Sequence, residues 1–365
     1  MLQKLNFKPG FNKMVTDSGG ESQWVDGDFV RFRYGLPEKI GGWSQLTTGN
    51  KTLPGAARAQ HAFTSIAGEK YVAIGTSSGL FLYYDEGFYD ITPLDTAITG
   101  ATFDATSGSA TVTVNKASHN LERGRYVTFS SVTVPTGSGY AISDFTGNTF
   151  EISNVTTNAF DITMPSNSAG TTSGTGSAQI DPYVFIGPTV ETAGFGWGTS
   201  TWSAEAWNTP RTTSNVILDP GQWSLDNFGQ ILIATIHNGK TFTWNAGTGG
   251  ARDIRATVMT GAPTASRLTQ VSDRDRHLFH FGTETTIGNT STQDPMFIRF
   301  SNQEDFNTYA PTAVNTAGTF RLDKGNVIVG AVSGKDYTLV LTDSSAYVIQ
   351  FVGPPFTFSV KQVGT

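Results

Sequence analysis

Four stretches of the chain repeat one local grammar, and it restricts the fold more than any other feature. Each has an apolar strand-forming run, a tight turn, an aromatic-rich run and a short outer run. In Lys70–Pro93, YVAIG, LFLYY and FYDIT are separated by Ser-Ser-Gly and Asp-Glu-Gly turns. Trp223–Arg255 sets an Asn-Gly turn between ILIATI and TFTW. The third copy runs from RHLFHFGT through DPMFIRF to DFNTYAP, and the fourth is NVIVGAVSGKDYTLVLTDSSAYVIQFVGPPFTFSVKQV. Alternating runs bounded by Asn-Gly, Asp and Gly turns read as antiparallel strands. A unit of about 40 to 50 residues that recurs reads as the blade of a β-propeller, with a sandwich as the competing arrangement. The composition agrees: 41 Gly, 25 Phe, 11 Tyr and 7 Trp suit short strands joined by many turns.

Between the first and second copies the text becomes rich in Thr, Ser and Gly, from Ile98 to about Ile180. Alternation persists there in ATVTV, YVTFS, TFEIS and FDIT, which predicts a small all-β domain inserted in the propeller. The Ser/Gly tract Asn167–Ser177 reads as its exit linker. The resulting organisation is 1–97 for an N-terminal segment and first blade, 98–180 for the insertion, and 181–365 for further blades. The last copy stops at FSVKQVGT with no closing segment, so either the polypeptide is longer or the ring closes irregularly.

No Cys is present, which excludes disulfides and thiolate metal sites. No apolar run approaches the ~20 residues that span a bilayer, and the N-terminus lacks the apolar core of a signal peptide. His277 and His280 stand three apart, which on a strand places them on opposite faces, with no further ligand at metal spacing. Asp226, Asp253, Asp273, Asp275, Glu304 and Asp305 could supply a glycosidase pair, but they lie where turns ordinarily use acidic residues. No nucleophile elbow or phosphate-cradling Gly loop occurs. The expectation is therefore a non-enzymatic protein without metal or cofactor.

Two stretches read as contact surfaces. Gly187–Trp223 sets Trp197, Trp202, Trp207 and Trp223 in a Gly/Thr-rich loop, where the indoles either stack on sugars or a partner, or tie the loop to the propeller. The other is GGESQWVDGDFVRFRYGLPEKIGGW, Gly19 to Trp43. Alternation there predicts a half-buried strand with Val30, Phe32 and Tyr34 on one face and Phe29, Arg31 and Arg33 on the other. Its arginines either grip carboxylates of a neighbouring chain or form a solvated face.

Taken in order, that run, GFGWGTSTWSAEAWNTPR, QWSLDNFGQILIATIHNGKTFTWN and SNQEDFNTYAP resemble the tail nozzle, or tail tube, proteins of short-tailed bacteriophages. The likeness spans the chain except Ile98–Ile180, and the run from Trp24 to Trp43 carries most of it. Ser203 and Ala204 depart from it where small glycines often recur. The resemblance implies a decorated β-propeller assembled as a ring, usually of six copies, below the adaptor ring of the tail, with fibres or spikes as further neighbours. Such a ring conducts and retains duplex DNA in the virion and catalyses nothing. Trp24, Arg31, Arg33, Glu38, Lys39 and Trp43 would then be scaffold and interface, as would Trp197, Trp202 and Trp207. A net charge of −6 with 15% charged residues fits a conduit without phosphate grip. Two rival readings are a receptor- or glycan-binding tail component and a propeller glycoside hydrolase.

Overall fold

Each of the four repeated stretches closes into a four-stranded antiparallel sheet whose strands follow chain order. The computed structural model describes residues 7–16, 18–42, 53–187, 220–247, 250–353 and 356–365. The first sheet contains Ala57–Thr64, Lys70–Thr76, Leu80–Tyr84 and Gly87–Asp90. Trp223–Phe228, Ile231–Ile236, Thr241–Trp244 and Thr257–Val258 make the second. Leu268–Ser272, His277–Phe281, Phe297–Phe300 and Gly318–Arg321 make the third. The fourth is Ile328–Ser333, Thr338–Thr342, Ala346–Gly353 and Thr357–Gly364. The first strand of each sheet lies beside the first strand of the next. The chain is thus all-β and propeller-like.

Three apolar layers hold the sheets in sequence, and each layer joins two neighbours. Tyr71, Ala73, Leu80 and Leu82 of the first sheet meet Leu232, Ala234, Phe242 and Trp244 of the second. Ile233 points the opposite way, into a layer with Val271, Leu278 and Tyr309. Phe279, Phe281, Ile298 and Phe300 then meet Val340, Tyr347 and Ile349 of the fourth sheet. The middle sheets are covered on both faces, so the strand HLFHF is buried at every position. In the fourth sheet only alternate residues of TLVLT are buried, as a one-faced strand requires. At the first joint Gly75 is obligatory, because a Cβ there would lie 2.6 Å from the Trp223 ring. The indole N–H of Trp223 donates to the Thr76 carbonyl at 3.1 Å.

The region 98–182 forms its own six-stranded sheet, in the order Phe150–Glu151, Tyr126–Thr133, Thr172–Pro182, Ile98–Ala105, Thr111–Asn115, Ala159–Thr163. A bridge between Ser153 and Asp161 brings its two edges together, so the sheet nearly closes as a barrel. Phe103, Phe129, Phe145 and Phe160 fill it, with Phe145 supplied by the short helix Ile142–Phe145. The predicted linker Asn167–Ser177 is a correction. From Thr172 onward it is an interior strand, paired with both Ile98–Ala105 and Tyr126–Thr133. Gly174 and Gly176, at φ +60° and +72°, accompany its register shifts, and it is these bulges that the Ser/Gly composition encodes.

Compactness divides the chain into residues 1–50 and 51–365. In the first unit Lys8–Phe11 pairs in parallel with Gln23–Trp24, and Val30–Arg33 forms a hairpin with Leu36–Lys39. Aromatic rings hold it: Phe7 against Trp24 at 5.3 Å, Phe11 against Phe32 at 5.2 Å, and Trp24 against Phe32 at 6.4 Å. A Cβ on Gly27 would strike the Phe11 ring at 2.5 Å.

Candidate interface surface and axial cavity

The hairpin turn is Tyr34-Gly35, with both residues at positive φ, +51° and +82°, the geometry that two-residue hairpins favour. This places Tyr34 at the turn, 93% exposed, and corrects its assignment to the face of Val30 and Phe32. Those two do turn inward, while Arg31 and Arg33 face solvent. Arg31 stands directly across from Glu38, and its Nε and Nη2 donate to the carboxylate at 3.3 Å each. The pair is about half exposed on both sides, so it contributes at most about 1 kcal/mol. Arg33 lies across from Leu36 and Lys39 across from Val30. Phe29, Leu36 and Ile40 stay exposed beside them, giving a mixed basic and apolar surface. Of the sequence-predicted contact residues, Trp24, Arg31, Arg33, Glu38 and Lys39 therefore share this unit. Trp43, Trp197, Trp202 and Trp207 lie outside the described residues. Trp223 does not belong to an exposed aromatic set, being buried at the joint of the first two sheets.

A second feature lies where the first strands of the four sheets converge. A cavity of about 410 Å³ is lined by His61 of the first sheet, Ser224 and Asp226 of the second, Leu268 and Gln270 of the third, and Ile328 of the fourth. His61 Nε2 is 2.7 Å from the Asn227 amide oxygen and 3.9 Å from Asp226 Oδ1. Asp226 accepts backbone N–H bonds from Val271 at 2.7 Å and Asn227 at 2.8 Å. Burial nevertheless outweighs these and raises its pKa above the ordinary carboxylate value. Arg267 and His237 complete the polar lining, and the Arg267 Nε donates to the Ile328 carbonyl at 3.3 Å. Gln270 is 8% exposed, and its Oε1 is buried without a hydrogen-bond partner.

Three of the other acidic residues singled out in the sequence have local partners. Glu304 takes Arg276 at 3.2 Å, Asp305 accepts from the Asn307 N–H, and Asp275 accepts from the Ser272 hydroxyl. His277 and His280 do point apart. His277 sits among Phe300, Phe351 and Phe358, and His280 between Ser266 and Tyr309. Among the described residues no cluster of three or more His, Asp or Glu side chains could hold a metal ion. His61 and Gln270 escaped the sequence reading. The only local signal was a Gln inside the otherwise strand-like run LTQVS.

No family model matches the sequence, and no curated protein does. Among solved structures, the chain is similar to the phage phi92 endosialidase, with a TM-score of 0.26 and 13% identity over 90% of this chain. That similarity takes in 48% of the endosialidase chain.

Proposed function

We propose that this chain is a structural component of a short phage tail, the subunit of a nozzle ring that conducts and retains the genome. The observation that carries the reading is the run from Trp24 to Trp43. The resemblance treats it as scaffold and interface, and its described part, 24–42, contains an aromatic-pinned hairpin with a basic and apolar outer surface. The propeller-like stack interrupted by an all-β module agrees with the architecture that the resemblance implies. In this reading Arg33, Lys39, Leu36 and Phe29 meet a neighbouring copy, whereas the Arg31–Glu38 pair mainly fixes the hairpin. Copies form a ring, usually of six, docked on the adaptor ring, and DNA passes without being held by specific contacts. The chain performs no catalysis.

Negative-stain imaging of purified protein, wild type and Arg33→Ala/Leu36→Ser, tests this. Closed rings with a central channel are expected for the wild type, and monomers of unchanged thermal stability for the variant. A wild type that stays monomeric at high concentration and is absent from purified virions would remove the proposal.

A further inference from the structure

We infer that the junction between the inserted barrel and the stacked sheets is an orientation latch. Closed, it holds the barrel at one angle; opened, it lets the barrel turn about its neck while both bodies stay folded. The neck is thin. Leu94–Ala97 on the entry side and Phe185 on the exit side are exposed. The two segments are joined by the bridge between Leu94 and Tyr183, and by backbone bonds from the Asp95 N–H to the Pro182 carbonyl at 2.8 Å and from the Val184 N–H to the Pro93 carbonyl at 3.1 Å. Among the described residues no apolar layer continues across it. The barrel core draws on residues 98–180, and the nearest layer of the stack draws on residues outside that range. Two bodies joined without a large apolar interface move relative to each other unless another contact fixes them.

A chain of polar contacts centred on Tyr183 supplies that fixing. From the barrel, Arg125 donates to the Tyr183 carbonyl at 2.7 Å and reaches Asp95 at 2.6 Å, and the Thr149 hydroxyl lies 3.0 Å from the Tyr183 hydroxyl. Toward the stack, the Tyr183 hydroxyl donates to Asp90. Arg255 reaches Asp90 at 2.9 Å, donates to the Tyr183 hydroxyl at 3.2 Å, and lies 4.9 Å from the centre of its ring. The Tyr183 side chain is buried, and burial with Asp90 beside it raises its pKa, so the phenol remains a donor. Directional contacts of this kind set an angle. Each of these groups can exchange its partner for water when the joint opens, whereas an opened apolar layer has no such compensation. The contacts therefore specify position more than they bind the two bodies together. The inference does not depend on the nozzle reading.

The test measures the angle in the full chain. Because the chain has no Cys, spin labels can be attached at Thr157→Cys on the barrel and Lys335→Cys on the fourth-sheet side, both exposed positions. Tyr183→Phe opens the latch with the ring kept and leaves Asp90 its contacts with Arg255 and Thr92, so folding is expected to hold. Arg255→Gln is the second variant and acts from the stack side. Pulsed electron-spin distance measurement should give one narrow distance with the native latch. That single distance should be lost to a broad distribution in at least one variant whose melting temperature is unchanged. A broad distribution with the native latch already in place would overturn the inference. So would a narrow distance that persists in both variants, or broadening that appears only together with a lowered melting temperature.

Discussion

His280 shows how one side chain can set the pH response of this fold. It is fully buried in the third sheet, with Nδ1 2.9 Å from the Ser266 hydroxyl and Nε2 3.0 Å from the Tyr309 hydroxyl. Burial, with the nearby Arg299 charge, lowers its pKa to about 3. In the unfolded chain the imidazole takes up a proton below its ordinary value near 6.5, whereas the folded protein resists until pH 3. The neutral-His contribution is therefore complete above pH 6.5 and declines as the pH falls toward 3. Between pH 6.5 and 5 this single group is expected to remove about 2 kcal/mol of stability. Urea unfolding of wild type and His280→Asn at both values checks it. The variant starts less stable at neutral pH, because the paired hydroxyls lose their partner, but declines less steeply. Burial also lowers the pKa of His277, and that contribution is common to both proteins and cancels in the comparison. Parallel declines would show that the buried ring protonates without cost.

At the scale of elements, the inserted barrel behaves as an attachment with two adjacent ends. Ile98 pairs with Ile180, and Leu94 bridges to Tyr183, so entry and exit lie side by side. Its aromatic core is separate from the layers between the four sheets. What joins it to the stack is a polar clamp. The buried Arg125 reaches Asp95 at 2.6 Å and donates from Nε to the Tyr183 carbonyl at 2.7 Å. The Tyr183 hydroxyl donates to Asp90, which also takes Arg255 at 2.9 Å. Replacing 98–180 by a short Gly/Ser linker should leave the four sheets folded, because closing ends already in contact costs little loop entropy. Equilibrium unfolding of the deletion should stay cooperative, and loss of all cooperativity would make the barrel integral to the stack. The sequence disclosed these elements wherever alternation met a turn residue. Thr76 accepts from Ser78 and Gly79 N–H groups in TSSG, and Thr342 repeats the device with Ser344 and Ser345 in TDSS. It concealed Ala57–Thr64, whose ARAQHAFT mixes small and polar residues, and Leu268–Ser272, which precedes the aromatic text. The outer strand Gly318–Arg321 also lay beyond the recognised copy. The cavity was illegible for a further reason: His61, Asp226, Gln270 and Ile328 become neighbours only through stacking of four separate sheets.

For the whole molecule, the distribution of charge decides what it can hold. Residues 1–50 carry six basic and five acidic side chains, so the net −6 leaves −7 on the remainder. Many exposed basic groups are already neutralised in place: Lys13 by Asp26 at 2.9 Å, Arg31 by Glu38 at 3.3 Å, Arg274 by Asp336 at 2.8 Å and Arg321 by Asp294 at 2.6 Å. At these positions a DNA phosphate would have to displace a carboxylate before gaining contact, and over residues 51–365 it would meet a net field of its own sign. Affinity for duplex DNA arises chiefly from counterions released by free Lys and Arg, with each phosphate contact adding about 0.9 to the logarithmic salt slope. The purified chain should therefore bind a short duplex more weakly than about 1 μM near physiological salt, with a slope below about 2. Fluorescence anisotropy across a salt series measures both quantities. A conduit benefits from this weakness, since a wall that gripped phosphates would retard the duplex at every step of its passage. Tight binding with a steep slope would instead place unpaired basic side chains along one continuous face and turn the proposed channel into a clamp.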